Sequence, residues 1–233
     1  MKTKHLTSFL VVISVVMVNA GNFTNLDFEK VRQPIPFLDS PYPDGRIVSA
    51  IRAFPGWVVL LNDVPQTDCN YNSLTLGSGS VDLISTYYKN KDITTAPITG
   101  NYSAYLQSGV AVGSLAQIGT IPIASKSLLF NSAGPGIEVR LSGSLTPVVN
   151  LGHTTIDQFT GYDTMGVDVS AWIGKEVELK FSSPTVFSVV SLDDIRFSST
   201  ALVPEPSTGA LFCVGGVAVL WLSRRRLGFA NEH

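Results

Sequence analysis

The sequence predicts an all-β body, a two-sheet antiparallel sandwich of the jelly-roll kind, flanked by an N-terminal signal helix and a short C-terminal transmembrane helix. Three observations carry this. Between residues 21 and 203 no window keeps a helical apolar period over three turns. Short runs with period-2 alternation or β-branched enrichment recur there instead, separated by Gly, Pro, Asn, Asp and Ser. Two longer apolar runs stand apart, one at each end of the 233 residues.

Residues 1–20 read as a secretory signal. Lys2 and Lys4 open it, Phe9–Val18 is its apolar run, and Val18-Asn19-Ala20 supplies small residues for cleavage between Ala20 and Gly21. An uncleaved anchor would need about 20 apolar residues, and this run has about half that.

The strands expected in the middle are Thr24–Phe28, Gly56–Leu61, Ser73–Leu76, Val81–Thr86, Ser103–Gln107 and Ser114–Ile121, then Ser127–Phe130, Ile137–Ser142, Pro147–Leu151, Thr164–Asp168, Glu176–Phe181 and Val186–Phe197. Two show their facing directly. Val177, Leu179 and Phe181 alternate with Glu176, Glu178 and Lys180, and Ile137, Val139 and Leu141 alternate with Glu138, Arg140 and Ser142. Half-buried strands of this kind build a sandwich, and about twelve in one domain suit a jelly roll. Asp168–Gly174 reads as the one helical turn, capped by Asp168 or Ser170 and stopped by Gly174. Trp57 and Trp172 are assigned to the core. Tyr71, Tyr87, Tyr88, Tyr102, Tyr105 and Tyr162 are the aromatics that could stack on a sugar.

The C-terminal segment, 204–233, has three parts. Pro204-Glu205-Pro206 breaks the chain, Gly209–Leu222 is apolar, and Arg224-Arg225-Arg226 is a basic stop. As a helix the apolar part is about 21 Å long, short of the ~30 Å hydrocarbon core. A transmembrane helix therefore has to take in residues 208–223 with its arginines snorkelling. Arginines after a span stay in the cytoplasm, which puts the body outside.

Charged residues make up 15% of the chain, against about 25% in ordinary soluble domains, because of the two apolar ends. Residues 21–203 hold 11 Lys and Arg against 16 Asp and Glu, a net of −5. Phosphate binding needs clustered basic residues, so nucleic acid is excluded as a partner. Catalysis finds little support: His153 is the one histidine of the body, Gly-x-Ser-x-Gly is absent, and no cluster has zinc spacing. Glu29, Glu138, Glu176 and Glu178 could serve a glycosidase only as a pair flanking a cleft. Cys69 has no partner for a disulfide within the body, since Cys213 lies in the C-terminal apolar run.

Pro-Glu-Pro, a short apolar helix and an arginine cluster, in that order at the chain end, resemble the PEP-CTERM sorting signal of exopolysaccharide-producing bacteria. The resemblance implies an exosortase and the secretion machinery as partners, with tail removal near Pro204–Pro206. The membrane is then a transient anchor, and the address is the cell envelope, cell surface or extracellular matrix. A plain single-span anchor is the alternative. In the body, Asn25-Leu26-Asp27-Phe28-Glu29, Phe54-Pro55-Gly56-Trp57, Asp168–Phe181 and Leu192-Asp193-Asp194-Ile195 resemble the galactose-binding-like jelly rolls, among them carbohydrate-binding modules. That resemblance implies a structural Ca²⁺ held by Glu29 and Asp193, with Asp194 a weaker candidate, and association with exopolysaccharide. Together these readings make the chain an exported, non-enzymatic surface or matrix protein, and a secreted polysaccharide-active hydrolase is the rival.

Overall fold

In a computed structural model, residues 21–33, 37–38, 46–73, 78–86, 96–156, 161–183 and 187–202 are described. The signal segment and the tail from 203 onward, with the expected transmembrane helix, lie outside them. Among the described residues no helix is long and apolar enough to cross a membrane.

Two sheets face each other. The first is built from β1 (Phe37–Leu38), β2 (Ile47–Ser49), β5 (Asp68–Tyr71), β6 (Ser80–Ser85), β7 (Tyr102–Gln107), β9 (Ser127–Ala133), β12 (Val149–Thr155), β13 (Gly161–Asp168) and β15 (Val189–Ser198). Its order is β1-β2-β5-β6-β7-β15-β9-β13-β12. The second holds β3 (Val58–Leu61), β4 (Val64–Gln66), β8 (Gly113–Thr120), β10 (Glu138–Leu141), β11 (Ser144–Thr146) and β14 (Glu176–Ser182), in the order β11-β10-β14-β8-β3-β4. The chain crosses between sheets at β7–β8–β9–β10 and again at β13–β14–β15, the winding of a jelly roll. Pairing is antiparallel except between β5 and β6, which run parallel.

The alternation in β14 and β10 faces as the sequence reads. Val177, Leu179, Phe181, Val139 and Leu141 are buried, while Glu176 and Glu178 are exposed. Phe181 touches Trp57 and Phe130, with ring centroids 6.2 and 5.2 Å apart, and Phe28 joins through Trp57 at 5.8 Å. Trp57 is core, and its indole N–H donates to the Asn25 carbonyl at 2.9 Å. Trp172 packs only partly against the core, with Lys175 Nζ 5.7 Å from its ring centroid.

Four expectations need correction. Thr24–Phe28 is a turn rather than a strand, with left-handed backbone at Asn25 (φ 51°) and Phe28 (φ 56°) that drives Phe28 into the core. The strand expected to end at Leu151 runs on to Thr155, so His153 lies on β12. The helical turn at Asp168–Gly174 shrinks to a 3-10 turn at Ser170–Trp172. Its lead-in is an Asx bond, Ser170 N–H to Asp168 Oδ1 at 2.8 Å, and the Ser170 hydrogen bonds hold the Asp168 carboxyl below its ordinary pKa. Ser73 lies outside any strand, and residues 74–76 of its expected strand are not among those described. A short α-turn at Ala50–Ala53 and strands β1, β2, β4, β5 and β11 have too few residues to show a period.

Candidate functional site

Two places on the molecule gather polar chemistry. The first joins the two ends of the body. Leu26 O accepts the Ile195 N–H at 3.0 Å, and the Phe23 and Phe197 rings lie 5.4 Å apart, so the opening segment runs beside β15. Glu29 and Asp193 both reach the segment that leads into β7. Glu29 Oε1 accepts from Asn101 N (2.7 Å) and Tyr102 N (3.0 Å), and Oε2 accepts from Asn101 Nδ2 (3.0 Å). Asp193 Oδ2 accepts from Thr99 N (2.9 Å), Thr99 Oγ1 (2.9 Å) and Ser103 Oγ (2.7 Å), and Oδ1 takes the Asp194 N–H (2.7 Å). Asp193 is fully buried, and burial pushes its carboxyl up to about 6 against the pull of these donors. Gly100 lies at the centre with φ +58°, and a Cβ there would overlap Glu29 Oε1.

Asp194 does not join the pair. A register shift in the β15–β9 pairing between Asp193 and Arg196, with Asp194 at φ 46°, sends its side chain elsewhere. Asp194 Oδ2 is ion-paired with Arg196 and accepts from Asn131 Nδ2. Glu29 and Asp193 thus meet on one segment without Asp194, and what converges on the two acids is a set of N–H and O–H donors. Sequence reading found both acids but missed Thr99–Ser103 as their seat. The available signal was Gly100-Asn101-Tyr102, a turn in which glycine lets the successive Asn101 and Tyr102 N–H groups face one carboxylate.

The second place is a groove of about 1080 Å³ on the outer face of the six-stranded sheet. The register aligns Arg140, Lys180, Ala116 and Val58 across four strands. The groove is therefore charged on the β10–β14 side and aliphatic on the β8–β3 side, where Ile118 (52% exposed) and Val58 (45% exposed) form the floor. Two ion pairs stand on the rim, Arg140 with Glu138 and Lys180 with Asp63. No aromatic residue lines it among the described residues. Tyr71 and Tyr102 pack partly on the core, and Tyr87 and Tyr88 lie outside the described residues. Glu138 and Glu178 both line the groove, but Glu138 is opposite Ser182, four residues further along β14. Four residues of strand set their backbones about 14 Å apart along the sheet.

Other candidates take simple places. His153 Nδ1 meets Asp163 Oδ1 at 2.7 Å on an exposed surface. Cys69 is buried, and burial followed by the charge of Asp82 pushes its thiol up, so it stays protonated. Among the described residues no group of three or more His, Cys, Asp or Glu could hold a metal ion. Gly21 O accepts the Thr120 N–H at 3.3 Å, so the body is docked from that residue on. Ala20, Pro204, Glu205, Pro206 and Arg224–Arg226 lie outside the described residues.

Residues 202–226 match the model of the PEP-CTERM protein-sorting motif. No curated protein matches the chain in sequence. Among solved structures, TmCBM61 in complex with beta-1,4-galactotriose is 14% identical, with 77% of this chain and 99% of that chain covered at a TM-score of 0.39. The alpha-L-rhamnosidase from Dictyoglumus thermophilum is 12% identical, with 67% of this chain and 26% of the enzyme covered at a TM-score of 0.24. The chain thus spans about a quarter of that enzyme's length. The chain carries a PEP-CTERM sorting motif directly behind a β-sandwich body, which marks it as an exported protein of the cell envelope.

Proposed function

We propose that this is an exported, non-enzymatic surface or matrix protein whose body, residues 21–203, associates with polysaccharide. Signal residues 1–20 leave after Ala20, and exosortase removes the tail 204–233 near Pro204–Pro206. The observation that carries the reading is position: the sorting motif begins at residue 202, just after β15 ends at Ser198. Docking of Gly21 against β8 supports the other boundary.

The outer groove is the binding surface in this reading. Its aliphatic floor suits the C–H faces of sugar rings, and its paired carboxylate, ammonium and guanidinium groups suit hydroxyls. Without an aromatic platform each ring gains little, so retention comes from many weak contacts along a polymer. Exopolysaccharide purified from the producing cells is the probe. The chain should be retained on it, and Ile118→Asp or Val58→Asp, each placing a carboxylate on the aliphatic floor, should cut retention at least about tenfold, the effect of roughly 1.4 kcal/mol. Retention unchanged in both variants would remove the groove from the reading. Release of reducing ends from the same polymer would favour the hydrolase reading instead.

A further inference from the structure

We infer that Glu29 and Asp193 close the body by hydrogen bonds alone and bind no calcium. A hard cation needs six to eight oxygens with lone pairs turned toward it. Here the two carboxylates turn their lone pairs to seven donors instead, three at Glu29 and four at Asp193. Carbonyls that could have served are turned to other partners. Asn101 O takes the Thr86 N–H at 3.1 Å, Leu26 O the Ile195 N–H at 3.0 Å, and Asn25 O the Trp57 indole at 2.9 Å. Asp194 is held by Arg196 and Asn131, and Asp27 Oδ1 is turned to the Glu29 N–H at 3.4 Å.

The electrostatic need for a cation is also met. A Ca²⁺ would balance the charge of two carboxylates seated on one short segment. Charge-assisted bonds from backbone N–H and hydroxyl groups do the same work without an ion. Ser103 shows how closely the donors are arranged: its hydroxyl gives to Asp193 at 2.7 Å while accepting from Ile98 N at 2.8 Å. Gly100 completes the device, because any side chain there would displace Glu29. The clip ties residue 29 to residue 193 through residues 99–103, a few residues ahead of the sorting motif, and it does so at any external calcium level.

The test uses the full chain in detergent, melted in chelator and in millimolar CaCl₂, with terbium luminescence as a direct probe of ion binding. The two midpoints should agree within about 1 °C, whereas a ligand at a hundredfold excess over its Kd raises the midpoint several degrees. Terbium should show no saturable signal. Glu29→Gln, which turns an amide N–H toward the Asn101 donors, should lower the midpoint by the same amount in both media. A calcium-dependent rise in the unsubstituted chain, or saturable terbium binding, overturns the inference without any variant. A Glu29→Gln chain as stable as the original overturns it too.

Discussion

Asp82 offers the sharpest test of the packing argument. It is fully buried within Val81-Asp82-Leu83-Ile84 on β6 and faces Asn70 across the parallel β5–β6 pair. Oδ2 accepts from Ser80 Oγ at 2.8 Å and Asn70 Nδ2 at 3.4 Å, while Oδ1 has no hydrogen-bond partner among the described residues. Burial outweighs the Ser80, Asn70 and Ser73 hydrogen bonds and pushes the carboxyl from 3.8 up to about 7. The folded chain therefore binds this proton more tightly than the unfolded chain does. The contribution of Asp82 to stability is greatest below about pH 4 and falls as pH rises toward 7, because there the folded state carries the extra proton. A shift of about three pH units corresponds to roughly 4 kcal/mol. Asp193, raised to about 6, adds to the same slope from a separate position. Asp82→Asn keeps the shape and removes the titration, and any packing cost of the amide is the same at every pH. In urea melts, the stability of Asp82→Asn relative to the unsubstituted chain should rise by a few kcal/mol between about pH 4.5 and about pH 8. Parallel pH curves for the two chains would refute the reasoning.

Two further outcomes follow from the fold and the sorting motif. Leu179→Ala and Phe181→Ala should each cost about 2–5 kcal/mol in urea melts, while Glu178→Ala on the opposite face should cost less than about 0.5 kcal/mol; equal effects at Leu179 and Glu178 would overturn the strand facing. Intact mass of the protein recovered from the cell surface should correspond to a chain that starts at Gly21 and lacks Gly209–His233, and a mass that retains Trp221 would overturn tail removal.

Much of this was legible in the sequence because it is local. A half-buried strand repeats every two residues, so β14 and β10 declared both their existence and their facing through Val177 to Phe181 and Ile137 to Leu141. The sorting motif is a linear signal, legible in order from Pro204 to Arg226. Three-residue strands such as β4 and β11 carry no readable period, and the Thr24–Phe28 alternation yielded to left-handed turns that seat Phe28 in the core. The sequence by itself determined the fold class and the two apolar ends, and the jelly-roll resemblance singled out Glu29 and Asp193. Only the tertiary structure decided what those acids meet, because Thr99, Asn101 and Ser103 lie 72 to 94 residues away from them. It also decided that Asp194 turns away at a register shift, and that Val58, Ala116, Lys180 and Arg140 form one row of a groove. Alternation sets which face a side chain takes, but strand order and register set its neighbours, and those depend on the whole sandwich closing at once.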